Sequence, residues 1–93
     1  MTLNLVKLTI YGRTDCHLCD DARHVIDRVA DDFPIELREI DIESHDDLLR
    51  EYLERIPVVA HAGVVWFEFE VDERRLRELV RDAASIGPRD NGN

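Results

Sequence analysis

The sequence predicts an α/β domain in which helices flank a four-stranded mixed sheet, with the element order β-α-β-α-β-β-α. Three observations carry this prediction. Several short segments are apolar almost throughout, as buried strands are. Between them, apolar residues recur at the three- and four-residue spacing of amphipathic helices. Turn-forming residues separate the segments, and a chain of 93 residues has room for one small domain.

The first half of the chain alternates between strand and helix. An almost continuous apolar run over residues 3–11 predicts a strand covered on both faces. Helical spacing follows over residues 16–31, and residues 35–42 form the second predicted strand. The alternation of this strand slips between Leu37 and Ile40, which predicts a bulge or an early end. Because a helix joins the two strands, we expect them to be parallel.

The second half predicts a short helix, a hairpin and a final helix. Ser44, with Asp47 three residues later, resembles the capping box of a short helix. Two apolar runs, residues 57–60 and 64–69, are separated by a three-residue segment whose length suits a β-hairpin. Asp72 is placed to cap the last helix.

The composition limits the classes of partner. The chain has 21 acidic and 12 basic residues and a net charge of -9. This balance argues against nucleic acid and anionic membranes, since both select clusters of lysine and arginine. No segment has the roughly 20 apolar residues of a membrane span, and residues 1–10 lack the pattern of a secretory leader. We expect a cytoplasmic monomer with one domain at residues 1–87 and a flexible polar tail at residues 88–93.

The sequence has only two cysteines, Cys16 and Cys19, and they are its candidate reactive residues. A disulfide between them would close too short a loop to stabilise the fold appreciably. Cys16 lies at the start of the predicted helix, where unpaired backbone N–H groups favour a thiolate. Cys19 lies one turn later on the same face, within reach of the first sulfur. The alternatives are that the two cysteines form half of a metal site or that they are inert thiols. A zinc site would need four ligands, and we predict no metal site.

A second feature is the pair Ile56 and Pro57, which opens the third predicted strand. Proline is tolerated at the first residue of a strand. A cis bond here would expose the backbone of Ile56 beside the cysteines, where an extended substrate could hydrogen-bond to it. Arg13 and Arg55 would flank Cys16 from the loop and from the strand, and they could locally reverse the acidic field of the protein.

Three residues next to the cysteines in sequence have weaker predicted roles. Asp15 precedes the first cysteine and is expected to cap the helix. His17 either tunes Cys16 by its charge or is an exposed helix residue without a role. Tyr11 ends the first strand and either shields the disulfide or is held there by packing alone.

The chain resembles a glutaredoxin-like protein of the thioredoxin superfamily over residues 3–86. The matching motifs are, in order, a strand, Tyr11-Gly12-Arg13-Thr14-Asp15-Cys16-His17-Leu18-Cys19, a helix and Ile56-Pro57-Val58-Val59. The resemblance implies a thioredoxin-like fold, with Cys16 as nucleophile, Cys19 as resolving cysteine and Pro57 as a cis-proline. It also implies that no cofactor is bound, that the substrate is the disulfide of a protein or small thiol, and that glutathione or a reductase protein supplies the electrons.

The sequence departs from the usual glutaredoxin pattern at three places. His17 and Leu18 stand between the cysteines, where a Pro-Tyr pair is usual. The segment after the fourth strand, residues 67–71, has no Gly-Gly pair and contains two glutamates. Arg55 precedes the Ile-Pro pair, where a threonine or small residue is common. We therefore expect a weak glutathione site, with Arg13 and Arg55 as the basic candidates for its carboxylates.

The function predicted from these residues is thiol–disulfide exchange by the two cysteines. One alternative is a non-catalytic binding or redox-sensing module that presents Arg13, Arg55 and Ile56 to a protein partner. Another is metal or iron–sulfur binding through Cys16, as some glutaredoxins do in dimers.

Overall fold

The computed structural model describes residues 4–86 and has the predicted element order. The predicted end of the domain at residue 87 and the tail at residues 88–93 lie outside the described residues. The elements are β1 (Val6–Gly12), α1 (His17–Ala30), β2 (Ile35–Asp41), a 3-10 turn (Ile42–Ser44), α2 (Asp46–Tyr52), β3 (Val58–His61), β4 (Val64–Glu68) and α3 (Glu73–Ile86).

The four strands form one mixed sheet in the order β2-β1-β3-β4. β1 is parallel to β2, as predicted from the helix between them, and antiparallel to β3. β3 and β4 form the predicted antiparallel hairpin. Its loop residues Ala62 and Gly63 both have positive φ, at 51° and 81°, which is the requirement of the tight turn that matches strand twist. The architecture is thioredoxin-like, and the predicted fold class is confirmed.

The main core lies between one face of the sheet and the two long helices. Val6, Leu8 and Ile10 of β1 are almost fully buried against residues of α1 and α3. The helix residues of this core are Ala22, Ile26, Val29, Leu76, Val80 and Ala84. The prediction that β1 is covered on both faces is wrong, because Lys7 is exposed and Thr9 only half-buried. The opposite face is covered mainly near Tyr11, where the short α2 packs.

The irregularity predicted for β2 occurs elsewhere in the sheet. β2 pairs with β1 without interruption from Ile35 to Asp41, so the expected bulge is absent from it. β2 is an edge strand whose apolar residues are only half-buried, and a slipped alternation therefore costs it little packing. The register shift lies instead between β3 and β4, at Val59 and Ala60, where the pairing passes over Trp66.

The caps predicted for the last two α-helices have different outcomes. The Asp72 carboxylate accepts hydrogen bonds from the backbone N–H groups of Arg74 and Arg75, at 3.0 and 3.3 Å, and so caps α3 as predicted. The capping box predicted from Ser44 is wrong. Ser44 ends the preceding 3-10 turn, and the N-cap of α2 is His45, which makes no side-chain cap hydrogen bond.

An ion-pair network joins α1 to α3 on the surface of the main core. The carboxylate of Glu73 accepts hydrogen bonds from Arg28 of α1 at 3.0 Å and from Arg77 of α3 at 3.0 and 3.2 Å. Arg77 also donates to Asp32 at 2.6 Å. The hydrogen bond from Arg28, with that from Arg77, holds the pKa of Glu73 below its ordinary value of 4.5. Charge therefore supports the packing of the two helices at their exposed rim.

We predict that Glu73→Gln lowers the melting temperature at neutral pH and flattens its decline in acid. Because the pKa of Glu73 is lowered in the folded state, its contribution is complete above the unfolded value and is lost as pH falls through the folded value. Thermal unfolding between about pH 3 and pH 7 measures this. Glu78→Gln is the control, since the ion pair of Glu78 with Arg75 lies within α3. If wild type and Glu73→Gln have the same pH profile, the assignment is contradicted.

Candidate active site

The loop after β1 places the two cysteines at the N-terminus of α1. Cys16 is the N-cap residue, with extended backbone, and Cys19 lies in the first turn of the helix. The two form a disulfide with their Cα atoms 5.2 Å apart. The prediction that Asp15 caps this helix is wrong. Asp15 has a φ of 59°, a left-handed conformation that turns the chain toward the helix one residue before the cap.

The two sulfur atoms have different surroundings. Cys16 is half-buried, whereas the side chain of Cys19 is only 2% exposed. The Sγ atom of Cys16 accepts a hydrogen bond from the backbone N–H of Cys19, at 3.1 Å. Donors at a helix N-terminus stabilise negative charge, so the same position favours a thiolate when the disulfide is reduced. The more exposed sulfur is therefore also the one at the helix N-terminus.

The buried sulfur of Cys19 lies against the end of β1. A Cβ atom added at Gly12 would lie 2.8 Å from Sγ and 3.3 Å from Cβ of Cys19. Real Cβ atoms do not approach other atoms so closely, so the residue at position 12 has to lack a side chain for the helix to dock at this distance.

The Ile56–Pro57 peptide bond is cis, as the family resemblance implied. Ile56 packs in a small apolar cluster with both cysteines and Ile42. The carbonyl of Pro57 accepts a hydrogen bond from the N–H of Phe69, at 2.9 Å, which ties the residue after β4 to this segment. Among residues 4–86, no backbone hydrogen bond to the N–H or carbonyl of Ile56 is found outside the regular ladders. The backbone groups of Ile56 are therefore not used by turns, loops or caps of the described chain.

Two tyrosines cover the cysteine cluster on the side of α2. The rings of Tyr11 and Tyr52 pack with their centroids 4.8 Å apart, and both rings contact the cluster. The guanidinium of Arg55 lies 5.1 Å from the centroid of the Tyr52 ring. Packing thus explains the position of Tyr11 beside the cysteine cluster.

The two arginines predicted near Cys16 are both engaged by acids. Arg55 donates to Glu68 through Nε at 2.9 Å and through a second, shorter contact, and it donates to Glu51 at 3.0 Å. The hydrogen bond to Glu68 is the main reason why the pKa of Arg55 lies above its ordinary value. Arg13 pairs with Glu43 at 3.7 Å. The positive charge expected to offset the acidic field is therefore largely compensated within the protein.

A polar cavity of about 250 Å³ lies behind the disulfide, at the end of β1 and β2. Arg13, Arg23, Glu39 and Asp41 line it together with Cys19. Arg13 thus shares a cavity with the buried cysteine, whereas Arg55 lies on the other side, on Tyr52.

Sequence reasoning missed the partner of Arg55 and the cleft that Leu18 and Phe69 line. Glu68 lies 13 residues after Arg55, and only the hairpin brings them together. Leu18 and Phe69 are exposed apolar residues that line one cleft beside the cysteine loop. The one signal in the sequence was Leu18 itself, an apolar residue at the exposed start of a helix.

Comparison with known proteins fits this geometry. The family model described as Glutaredoxin-like domain (DUF836) matches residues 7–81. The chain belongs to this family. No curated protein matches it significantly in sequence. The glutaredoxin-like fold, with Cys16 and Cys19 joined as a disulfide, supports a redox function.

Solved structures show the same fold in this glutaredoxin-like chain and in thioredoxins. Protein Ne2328 from Nitrosomonas europaea is 24% identical over 86% of this chain and 96% of its own, with a TM-score of 0.76. Protein XcR50 from X. campestris is 29% identical over 82% and 97%, with a TM-score of 0.69. A mutant thioredoxin from Halobacterium salinarum is 22% identical over 87% and 76%, with a TM-score of 0.62.

The described residues contain neither a membrane-spanning helix nor a cluster of metal-ligating side chains. Within residues 4–86, no helix has the length and apolar character needed to cross a membrane. In the same part of the chain, no group of three or more His, Cys, Asp and Glu side chains could hold a metal ion.

We predict that Gly12→Ala destabilises the reduced protein by about 1–3 kcal/mol, because the added methyl group would overlap the sulfur of Cys19. In a Cys19→Ala background most of this cost should disappear, since the nearest atom is then removed. Urea unfolding of the four proteins under reducing conditions measures the coupling.

Gly63→Ala serves as the matched control for that cycle. A Cβ at Gly63 meets nothing within 4 Å, so its cost comes from the φ of 81° and should be equal in both backgrounds. If Gly12→Ala also costs the same in both backgrounds, Cys19 is not the residue that excludes a side chain from position 12.

Proposed function

We propose that the protein is a thiol–disulfide oxidoreductase in which Cys16 is the nucleophile and Cys19 resolves the intermediate. The observation that carries the proposal is the asymmetry of the pair. Cys16 is accessible and lies at the helix N-cap with a backbone N–H on its sulfur, whereas Cys19 is buried behind it. A substrate disulfide can therefore approach Cys16, and Cys19 is placed to react only with the adduct.

The reaction consists of two exchanges. In the first, the thiolate of Cys16 attacks one sulfur of the substrate disulfide, forms a mixed disulfide and releases the other sulfur as a thiolate. In the second, Cys19 loses its proton to solvent, and its thiolate attacks the sulfur of Cys16. The second substrate thiolate leaves, and the two cysteines remain joined. Two electrons have passed to the substrate, and a dithiol protein or two molecules of glutathione must return them.

The substrate edge of this proposal is formed by Ile56 and Pro57. Ile56 lies in the cysteine cluster, and its backbone groups are free of backbone partners among the described residues. An extended segment on either side of a substrate cysteine could pair with them, as a strand pairs with a sheet edge. We place the protein in the cytoplasm on the basis of its cysteine usage, since reducing conditions there keep such pairs in turnover.

The two cysteines should respond differently to substitution. Cys16→Ser should abolish disulfide reduction, because the attacking group is lost. Cys19→Ser should leave the first exchange intact and accumulate a mixed disulfide, since only the second exchange is lost. Mass spectrometry after incubation with a model disulfide detects the adduct, and the rate of thiol release measures turnover.

Loss of activity in both variants without an adduct would contradict the division of roles. Failure of the wild type to reduce any disulfide, with substrate binding retained, would favour the non-catalytic module instead. Iodoacetamide alkylation against pH supplies an independent check. The reactivity of Cys16 should rise at lower pH than that of a free cysteine, because the helix N-terminus favours its thiolate.

Glutathione should be a poor electron donor for this protein. A glutathione site needs basic groups for two carboxylates, and Arg55 is already held by Glu68 and Glu51. We expect a lower rate with glutathione than with an artificial dithiol. Glu68→Gln should raise the glutathione-dependent rate by about threefold or more, since it frees part of the Arg55 guanidinium, and Arg55→Gln should lower it.

Glu36→Gln is the control for these charge changes. It alters the net charge by the same amount, but it lies at the opposite end of the sheet, level with Lys7 of β1. An equal increase in Glu36→Gln would assign the effect to net charge alone. A wild type that uses glutathione as well as the dithiol would contradict the expectation of a weak site.

A further inference from the structure

A second cleft, of about 200 Å³, lies between α1 and the turn after β4. Leu18, Val25, Phe69 and Val71 give it apolar walls, and Asp21 and Glu70 line it with carboxylates. Leu18 is 44% exposed and Phe69 48% exposed, although both are large apolar side chains. Since Leu18 stands between the two cysteines in sequence, the cleft lies beside the redox disulfide.

The Phe69 side chain is held in this cleft by an unusual backbone. Phe69 has a φ of 69°, and the N–H of Glu70 donates to the carbonyl of Glu68 at 2.7 Å, so Phe69 is the centre of a γ-turn. Bulky residues rarely adopt positive φ, and such conformations are costly. The hydrogen bond from Phe69 to Pro57 ties the same turn to the substrate edge. The fold therefore keeps a large apolar side chain in solvent at a conformational cost.

The charged side chains that line the cleft are both acidic. Among the residues that the structure describes, Asp21 and Glu70 form no ion pair, and no basic side chain lines the cleft with them. Most arginines of the described chain, by contrast, pair with an acid. An apolar cleft bordered by free carboxylates suits an apolar side chain that is next to a positive charge.

We propose that this cleft binds the polypeptide around a substrate cysteine, taking an apolar side chain that is flanked by lysine or arginine. The inference deepens the proposed function, on which it rests, by naming the class of substrate. The apolar side chain packs between Leu18 and Phe69, and the flanking cation lies near Asp21 and Glu70. Glutathione fits this cleft poorly, because its two carboxylates would face the two carboxylates of the protein.

A binding experiment that requires no reaction tests this directly. Short capped peptides without cysteine are titrated into the isotope-labelled, oxidised full chain, and amide resonances are followed by NMR. One peptide has leucine between two lysines, a second has leucine between two glutamates, and a third has glycine between two lysines. We expect the first to bind at least about threefold more tightly than either of the others, with the largest shifts at Leu18, Phe69 and Glu70.

Variants of the cleft distinguish the contribution of its carboxylates to peptide binding from that of its apolar walls. Asp21→Asn with Glu70→Gln should remove the preference for lysine over glutamate. Phe69→Gly should weaken binding of the leucine peptide by about threefold or more, while glycine accepts the positive φ without strain. The matched control is Glu36→Gln with Asp82→Asn, two exposed acids at the end of the molecule where Asn4 contacts Ala84. This control should keep the preference.

Several outcomes of these experiments would overturn the proposal. Equal binding of the three peptides, shifts confined to other surfaces, or a preference that survives in the Asp21/Glu70 variant would do so. So would displacement of the peptide by oxidised glutathione at equal concentration, or loss of the signals through self-association of the chain. Selective binding in a protein that reduces no disulfide would refute the proposed function alone. Disulfide reduction without selective binding would refute the cleft alone.

Discussion

The buried sulfur of Cys19 touches the end of β1 so closely that Gly12 has no room for a side chain. This contact sets the position of α1 against the central strand of the sheet. Once Cys19 is fixed, the helix geometry places Cys16 one turn earlier, at the cap and at the surface. The more exposed sulfur and its N–H donor thus depend on this packing contact, and Ile56 packs beside them. The proposed division into an attacking and a resolving cysteine accordingly rests on burial more than on residue type.

The positive charge near this site is mostly neutralised by neighbouring glutamates. The chain has 21 acids and 12 basic residues, and the arginines expected to serve the site are engaged by Glu68, Glu51 and Glu43. Exposed ion pairs contribute little to stability, but they do remove positive charge from the surface that a ligand meets. Little positive charge is therefore left uncompensated near the disulfide. Under the proposed function, this balance disfavours anionic donors and favours cationic segments of a protein substrate.

The sequence allowed prediction of those features that depend on local pattern. Hydrophobic periodicity indicated every strand and helix, and the Asp72 cap needed only its neighbours. Two errors are local, since Asp15 and Ser44 each lie one residue before the N-cap that the structure shows. The other errors concern features decided by distant residues. The register shift lies between β3 and β4, at Val59 and Ala60, whereas β2 pairs with β1 without interruption. Arg55 could not be paired with Glu68 from sequence, since the hairpin that joins them also determines which face each occupies.

Phe69 shows how such a distant constraint can bear on function. The sequence places it at the end of an apolar run, and a simple extension of β4 would have been sufficient. The chain instead turns at Phe69, with positive φ and a hydrogen bond to Pro57, and so carries the ring toward Leu18. A glycine at this position would adopt the same turn at no steric cost. Because Phe69 is 48% exposed, packing within the chain offsets only part of that cost. A strained backbone kept beside the redox disulfide is more readily explained by contact with something outside the chain.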